Sequence, residues 1–193
     1  MSKMPVWETQ REIRVKAEEE TNPDYGCFPE ERSLNDYIRF GLVVIDKTSG
    51  PTSHEVAAWI KKMLELDKVG HGGTLDPKVT GILPTMLQDS TKAVQALLES
   101  GKEYITVMRT HGDVSQSRVE KTLQLFTGEV YQRPPLRSSV SRRLRTRNIY
   151  DITFHERDGR NWLFGVSCQS GTYIRKLCFD VGEVLGCGAH MQE

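Results

Sequence analysis

Residues 70–81 read Gly-His-Gly-Gly-Thr-Leu-Asp-Pro-Lys-Val-Thr-Gly, a glycine-rich stretch with one carboxylate, Asp76. Three glycines among its first four residues permit positive φ angles and close approach of the backbone. Pro77 disfavours the helical region for the residue before it. These features predict a loop over 70–80 that holds the carboxylate in a fixed pose, as a nucleophile or general base requires. The alternative is a tight turn in which Asp76 only caps the backbone.

Upstream of this loop, the pattern predicts a strand and then a helix. Residues 41–46 form a short apolar run typical of a buried strand, and Gly50-Pro51 marks the turn after it. Thr52 and Glu55 have the spacing of a capping box, which predicts the start of a helix. The apolar stripe predicted for this helix consists of Val56, Ile60, Met63 and Leu64.

Downstream of the loop, predicted helices and strands mix without strict alternation, which favours the α+β class. A hairpin is expected around Asp158-Gly159. The last helix begins near Thr172 and ends at Gly186. The other predicted elements are a helix over 90–100, a strand over 104–109, a helix over 115–127, and the two hairpin strands over 152–155 and 162–169.

Bulk composition narrows the class of protein. The chain has 193 residues, of which 37% are hydrophobic, and this is enough for a packed core. No apolar run is long enough for a membrane-spanning helix, and the charged N-terminus lacks the apolar region of a signal peptide. The four cysteines form no CxxC pair and lack zinc-site spacing, so reduced thiols and no metal site are expected.

The charge is unevenly distributed although the formal net charge is zero. Residues 133–147, here called the arginine-rich segment, contain six arginines and no acid, whereas residues 8–31 contain eight acids. Because local fields attract phosphates, a neutral chain can still bind RNA. The segment is interpreted either as a phosphate-binding element or as a solvated face.

Four motifs together resemble those of the TruB/Cbf5 (dyskerin) family of RNA pseudouridine synthases. Leu75-Asp76-Pro77-x-x-x-Gly81 resembles the catalytic loop of that family. The other three matches are residues 41–47 with 50–53, residues 101–104 and residues 171–177. Residues 71–73, 132–136 and 188–191, with the acidic arm and residues 30–37, are most similar to the archaeal, guide-RNA-dependent Cbf5 branch.

The resemblance covers residues 37–193 and implies a mixed, mainly antiparallel sheet flanked by helices, with a central active-site cleft. Residues 1–36 are expected to form an N-terminal arm. Family members continue past Glu193 with the rest of the catalytic sheet and a PUA domain, so we expect an incomplete catalytic domain without a PUA domain. The chain alone is then expected to be poorly stable, because Trp162, Phe164, Ile174 and Leu185 would lose cover. The first motif also departs from the family, with Lys47-Thr48 in place of Lys-Pro.

The family implies three catalytic residues. Asp76 supplies the carboxylate, Tyr104 stacks on a flipped uracil and assists proton transfer, and Arg175 pairs with Asp76. Structural alternatives are a half-buried strand tyrosine for Tyr104 and a solvated arginine for Arg175.

A second set of residues is assigned to RNA binding. Lys47 contacts phosphate or supports the loop. His71 wedges into RNA or is satisfied by backbone, and Leu177 walls the base pocket or is a core leucine. The arginine-rich segment resembles the mobile thumb loop of the family, which touches RNA and an accessory protein. Its arginines are Arg133, Arg137, Arg142, Arg143, Arg145 and Arg147.

The function that the resemblance implies is isomerisation of uridine to pseudouridine in rRNA and possibly tRNA, without a cofactor or a metal. The protein would be the catalytic subunit of an H/ACA ribonucleoprotein with guide RNA, Nop10, Gar1 and L7Ae, and without a membrane. Its expected location is cytoplasmic, or nucleolar in a eukaryote. The alternatives are a stand-alone tRNA pseudouridine-55 synthase and a truncated, non-catalytic RNA-binding fragment.

Overall fold

All strand pairings are antiparallel in the computed structural model, which describes residues 10, 12–19, 22, 24–134, 141 and 143–193. The predicted α+β class is therefore confirmed. The described residues fall into two compact units, residues 10–98 and residues 99–193. The helices are α1 (Leu34–Arg39), α2 (Ser53–Met63), α3 (Val94–Glu99), α4 (Gln116–Gln124) and α5 (Ile174–Leu185). The strands are β1 (Leu42–Lys47), β2 (Val69–His71), β3 (Gly81–Leu87), β4 (Lys102–Thr110), β5 (Gly128–Gln132), β6 (Arg145–Asp158), β7 (Asn161–Cys168) and β8 (Ala189–Met191).

The N-terminal unit is built on a three-stranded sheet in the order β1-β3-β2. The predicted capping box at the start of α2 is confirmed, because the Thr52 side chain accepts from the Glu55 N–H and the Glu55 side chain accepts from the Thr52 N–H. This cap satisfies two donors that a helix N-terminus otherwise leaves open. The core of the unit consists of Val56, Ile60, Leu66, Leu83 and Leu87.

Several predictions for the N-terminal unit are wrong in detail. Strand β1 is buried on one face only, and Val44 on the other face is 61% exposed. On α2, Val56 and Ile60 are buried, but Met63 and Leu64, the last helical residue and the C-cap, are exposed. Residues 88–93 form a 3₁₀ helix, and only the second half of the helix predicted over 90–100 is α-helical.

The C-terminal unit contains a five-stranded sheet in the order β5-β6-β7-β4-β8. The predicted hairpin is confirmed, since β6 and β7 pair from Asp158 opposite Asn161 across a two-residue turn. Helices α4 and α5 lie where the sequence predicts them, and Gly186 caps the end of α5. All five predicted stripe residues of α5 are buried: Ile174, Leu177, Cys178, Val181 and Leu185.

The expected loss of cover in this unit is contradicted by the structure. Trp162 and Phe164 are fully buried, and Ile174 and Leu185 are also in the core. The physical reason is the position of β7, which pairs with β6 on one side and β4 on the other. Strands β5 and β8, which the sequence did not predict, form the two edges of the sheet. Among the described helices, none combines the length and apolar character that crossing a membrane requires.

Candidate active site

Lys47, the last residue of β1, organises the backbone of the loop that carries Asp76. Its side chain is only 1% exposed. Lys47 Nζ donates to the carbonyl oxygens of Thr48, Asp76, Pro77 and Val79, at 3.0, 3.3, 3.2 and 2.7 Å. A buried ammonium group is tolerated only with such compensation, so these four contacts offset its desolvation. Support of the loop, one of the two roles expected of Lys47, is therefore confirmed, and its contact with phosphate stays a prediction.

The connection between β1 and α2 holds the same loop at two further points. The Ser53 hydroxyl, buried at the start of α2, accepts from the Leu75 N–H at 2.9 Å and lies 3.3 Å from the Leu75 carbonyl oxygen. The Gly50 N–H donates to the Pro77 carbonyl at 2.8 Å. Residues 75, 76, 77 and 79 are thus tied to residues 47–53 on both sides of Asp76.

This arrangement presents Asp76 as a half-buried residue on a braced loop rather than within a helix or strand. The Asp76 carbonyl also accepts from the Val79 N–H at 3.0 Å, which closes a turn immediately after it. Because the backbone on either side is fixed, the carboxylate can be held without reorganisation during a reaction. Ser53 and Gly50 lie in the first sequence motif, but sequence reasoning gave them no role. The sequence feature that could have identified them is the position of a glycine and a serine beside the capping box of Thr52 and Glu55.

His71 lies at the end of β2, next to the same loop. Its Nδ1 lies 2.6 Å from the Gly73 carbonyl oxygen, and its Nε2 lies 3.4 Å from His54 Nδ1. Since a carbonyl only accepts, Nδ1 carries the hydrogen. Burial is the main cause of a lowered His71 pKa, and the neighbouring His54 charge also lowers it. The backbone-satisfied alternative for His71 is confirmed, and its contact with RNA stays a prediction.

Tyr104 and Arg175 both lie in the C-terminal unit. Tyr104 is on β4 opposite Val166, and its half-buried ring packs against the core. Arg175 lies in the first turn of α5, which is the position that the sequence predicted, and it is exposed. The expected assembly of these two side chains around Asp76 stays a prediction.

The remaining RNA-binding predictions have mixed outcomes. Leu177 is 1% exposed and belongs to the core of the C-terminal unit, because it lies on the inward stripe of α5. Its place in the wall of a base pocket stays a prediction. Arg137 and Arg142 lie outside the described residues.

The described part of the arginine-rich segment is partly strand rather than loop. Arg133 and Arg143 are exposed, whereas Arg145 and Arg147 lie on β6, opposite Gln132 and Val130, and are half-buried. Their contact with phosphate stays a prediction. Within the described ranges, no three His, Cys, Asp or Glu side chains are placed to share a metal ion.

Comparison with known proteins decides the family. The profile of the TruB family pseudouridylate synthase (N terminal domain) matches residues 61–174, and a DKCLD (NUC011) domain profile matches residues 2–57. The chain belongs to the TruB family. The family match includes Asp76, its loop and Tyr104, and it ends at Ile174, the first residue of α5.

Relatives within the family include two archaeal proteins named "Probable tRNA pseudouridine synthase B". The one from Methanopyrus kandleri is 56% identical over 187 residues, which are 97% of this chain and 55% of the relative. The one from Methanocaldococcus jannaschii is 55% identical over 184 residues, which are 95% of this chain and 55% of the relative. The chain therefore spans about half the length of the relatives that it matches.

Two solved structures are also similar to this chain. The crystal structure of a Cbf5-Nop10-Gar1 complex matches with a TM-score of 0.92 and 53% identity, over 98% of this chain and 58% of that chain. The structure of an H/ACA RNP bound to a substrate RNA containing 2'-deoxyuridine matches with a TM-score of 0.87 and 50% identity, over 96% of this chain and 56% of that chain.

Proposed function

We propose that this protein isomerises uridine to pseudouridine in RNA as the guide-RNA-dependent catalytic subunit of an H/ACA ribonucleoprotein. The observation that carries the proposal is the braced loop of Asp76, whose neighbouring carbonyl and N–H groups are held by Lys47, Gly50 and Ser53. The family match over this loop supports the same activity.

In this reaction the N1–C1′ bond breaks and a C5–C1′ bond forms, while C5 loses a proton and N1 gains one. The balance requires no electron donor or group donor. The Asp76 carboxylate acts at C1′ or C6 as nucleophile or base. Tyr104 stacks on the extruded base, and Arg175 keeps the Asp76 carboxylate ionised and oriented.

The proposed partners are the guide RNA, the substrate RNA, Nop10, Gar1 and L7Ae. Similarity to a chain of a Cbf5-Nop10-Gar1 complex supports Nop10 and Gar1 as partners, whereas L7Ae is proposed from the family resemblance alone. We place the catalytic domain at residues 37–193, with residues 1–36 as an arm, and the arginine-rich segment on RNA phosphates. The similarity to archaeal proteins supports a cytoplasmic location.

The test is Asp76→Asn in the assembled, guide-RNA-loaded complex. The amide keeps the shape of the carboxylate but loses its basicity and nucleophilicity, so isomerisation should stop while RNA affinity stays within about twofold. Tritium release from C5-labelled uridine measures the reaction directly. Asp67→Asn, at an exposed aspartate outside the loop, is the matched control and should keep the parent rate. Wild-type turnover by the Asp76→Asn complex would refute the assignment.

A second candidate is a stand-alone tRNA pseudouridine-55 synthase, and the name of the relatives, which specifies tRNA as the substrate, favours it. The two candidates differ in their need for a guide. Tritium release from unmodified tRNA without guide RNA or partner proteins would support the second one. RNA binding without isomerisation of any substrate would support a non-catalytic RNA-binding fragment.

A further inference from the structure

The side-chain amide of Gln132, at the end of β5, makes two hydrogen bonds to the backbone of Tyr173, which is 41 residues away in the chain. The Tyr173 N–H donates to Gln132 Oε1 at 2.8 Å, and Gln132 Nε2 donates to the Tyr173 carbonyl at 3.1 Å. The Gln132 residue is only 3% exposed. A buried amide with both ends satisfied by the same residue holds that residue in one orientation.

Tyr173 is the N-cap residue of α5, and its own side chain makes no capping hydrogen bond. Its carbonyl also accepts from the Leu177 N–H at 3.0 Å, which is the first helical bond of α5. Arg175 lies two residues further on, in the first turn. The Gln132 amide therefore fixes the backbone from which the Arg175 side chain projects.

The other end of the arginine-rich segment is tied to the same connection before α5. Asn148 exchanges two hydrogen bonds with Gln169: the Asn148 N–H donates to Gln169 Oε1 at 3.1 Å and the Gln169 N–H donates to the Asn148 carbonyl at 2.8 Å. The Arg147 guanidinium lies against Gly171, where an added Cβ would be 3.1 Å from both Nε and Nη2. Gly171 also has φ +75°, so a side chain there would be strained as well as crowded.

We propose that Gln132 is a positioning residue for Arg175, and that it couples the base of the arginine-rich segment to the start of α5. The proposal rests on the proposed function. The residues at the two ends of the segment, Gln132 before it and residues 147–148 at its end, contact residues 169–173 directly. Through these contacts the described residues on either side of the segment bear on the backbone that carries Arg175, and Gln132 itself is buried.

The test is Gln132→Glu in the assembled, guide-RNA-loaded complex. An ionised Glu accepts from the Tyr173 N–H but cannot donate to the Tyr173 carbonyl, and its charge faces that carbonyl. A protonated Glu both donates and accepts, and burial favours the protonated form. We expect kcat to fall at least about tenfold near pH 8 and to recover, relative to wild type, toward about pH 5.5. The dissociation constant for substrate RNA should stay within about twofold of wild type.

The matched control is Gln124→Glu, at the end of α4. Gln124 Nε2 donates a hydrogen bond to the Ile152 carbonyl at 2.9 Å, which belongs to β6 and not to the start of α5. This variant should keep the wild-type pH profile. A Gln132→Glu complex with wild-type kcat throughout, or with a loss that follows RNA affinity alone, would overturn the proposal.

Amide hydrogen exchange at the start of α5 tests the role of Gln132 without relying on enzymatic activity. In Gln132→Glu near pH 8, the amides of residues 173–177 should exchange faster than in wild type, and they should be unaffected in Gln124→Glu. If wild type itself isomerises no uridine, the proposed function fails while the exchange result still decides whether Gln132 holds the start of α5. Unchanged exchange would overturn the positioning role.

Discussion

Four carbonyl contacts offset the burial of the Lys47 ammonium group, and three of them come from the Asp76 loop. Replacing Lys47 with Met keeps most of the apolar stem but removes the ammonium donor. The Asp76 and Pro77 carbonyls still accept from the Val79 and Gly50 N–H groups, whereas the Thr48 and Val79 carbonyls lose the donor described for them. Unsatisfied buried polar groups cost about 1–3 kcal/mol each, so Lys47→Met should lower the free energy of unfolding by at least about 2 kcal/mol. Urea unfolding followed by circular dichroism measures this difference.

The control for this residue is Lys78→Met, because Lys78 is an exposed lysine of the same loop. It should change stability by less than about 0.5 kcal/mol, as exposed substitutions do. In the assembled complex, Lys47→Met should also lower kcat, since the loop that orients Asp76 loses its brace. Equal stability and equal kcat for the two variants would show that Lys47 does not organise the loop.

At the scale of elements, the arginine-rich segment continues from β5 into β6, and its described arginines differ in exposure. Arg143 is exposed and Arg145 is half-buried at the start of β6. Each arginine that meets a phosphate releases counterions, so Arg143→Ala with Arg145→Ala should flatten the plot of log K against log salt. The expected change is about 0.7–0.9 units for each lost contact, at similar size across RNA sequences.

Filter binding of guide RNA at a series of salt concentrations measures this slope. Arg39→Ala is the control, because its guanidinium is paired with Asp89 at 2.6 Å and should not contribute a phosphate contact. A double variant with the slope of the parent protein would mean that these arginines form a solvated face.

At the scale of the whole molecule, three thiols test whether the core of the C-terminal unit is closed. Burial raises the pKa of Cys168 to about 11 and that of Cys178 to about 12, whereas Cys27 is exposed. Because the thiolate is the reactive form, iodoacetamide near neutral pH should label Cys27 rapidly and the two buried thiols only after addition of urea. Mass spectrometry of the peptides measures the extent of labelling at each cysteine.

Cys27→Ser should remove most of the fast labelling without exposing Cys168 or Cys178. Labelling of Cys178 in the native protein at the rate of Cys27 would indicate an open core.

The sequence by itself determined the local features of this protein, because they depend on contacts within a few residues. The capping box of Thr52 and Glu55, the turn at residues 158–161 and the buried stripe of α5 were predicted from spacing alone. The same is true of the loop that carries Asp76, whose glycines and Pro77 lie within eight residues of one another, although Gly70 and His71, predicted as part of it, belong to β2.

Only the tertiary structure decided the features that join distant segments. The sequence around Lys47 would be the same whether the lysine were exposed or buried under the loop. The structure shows it buried, because residues 76, 77 and 79 place their carbonyl oxygens around its ammonium group. Likewise, β5 and β8 are short strands whose pairing partners, β6 and β4, supply the hydrogen bonds that define them. Leu177 lies on a helix face whose burial depends on the sheet beneath it, so no local signal separates a core leucine from a pocket wall.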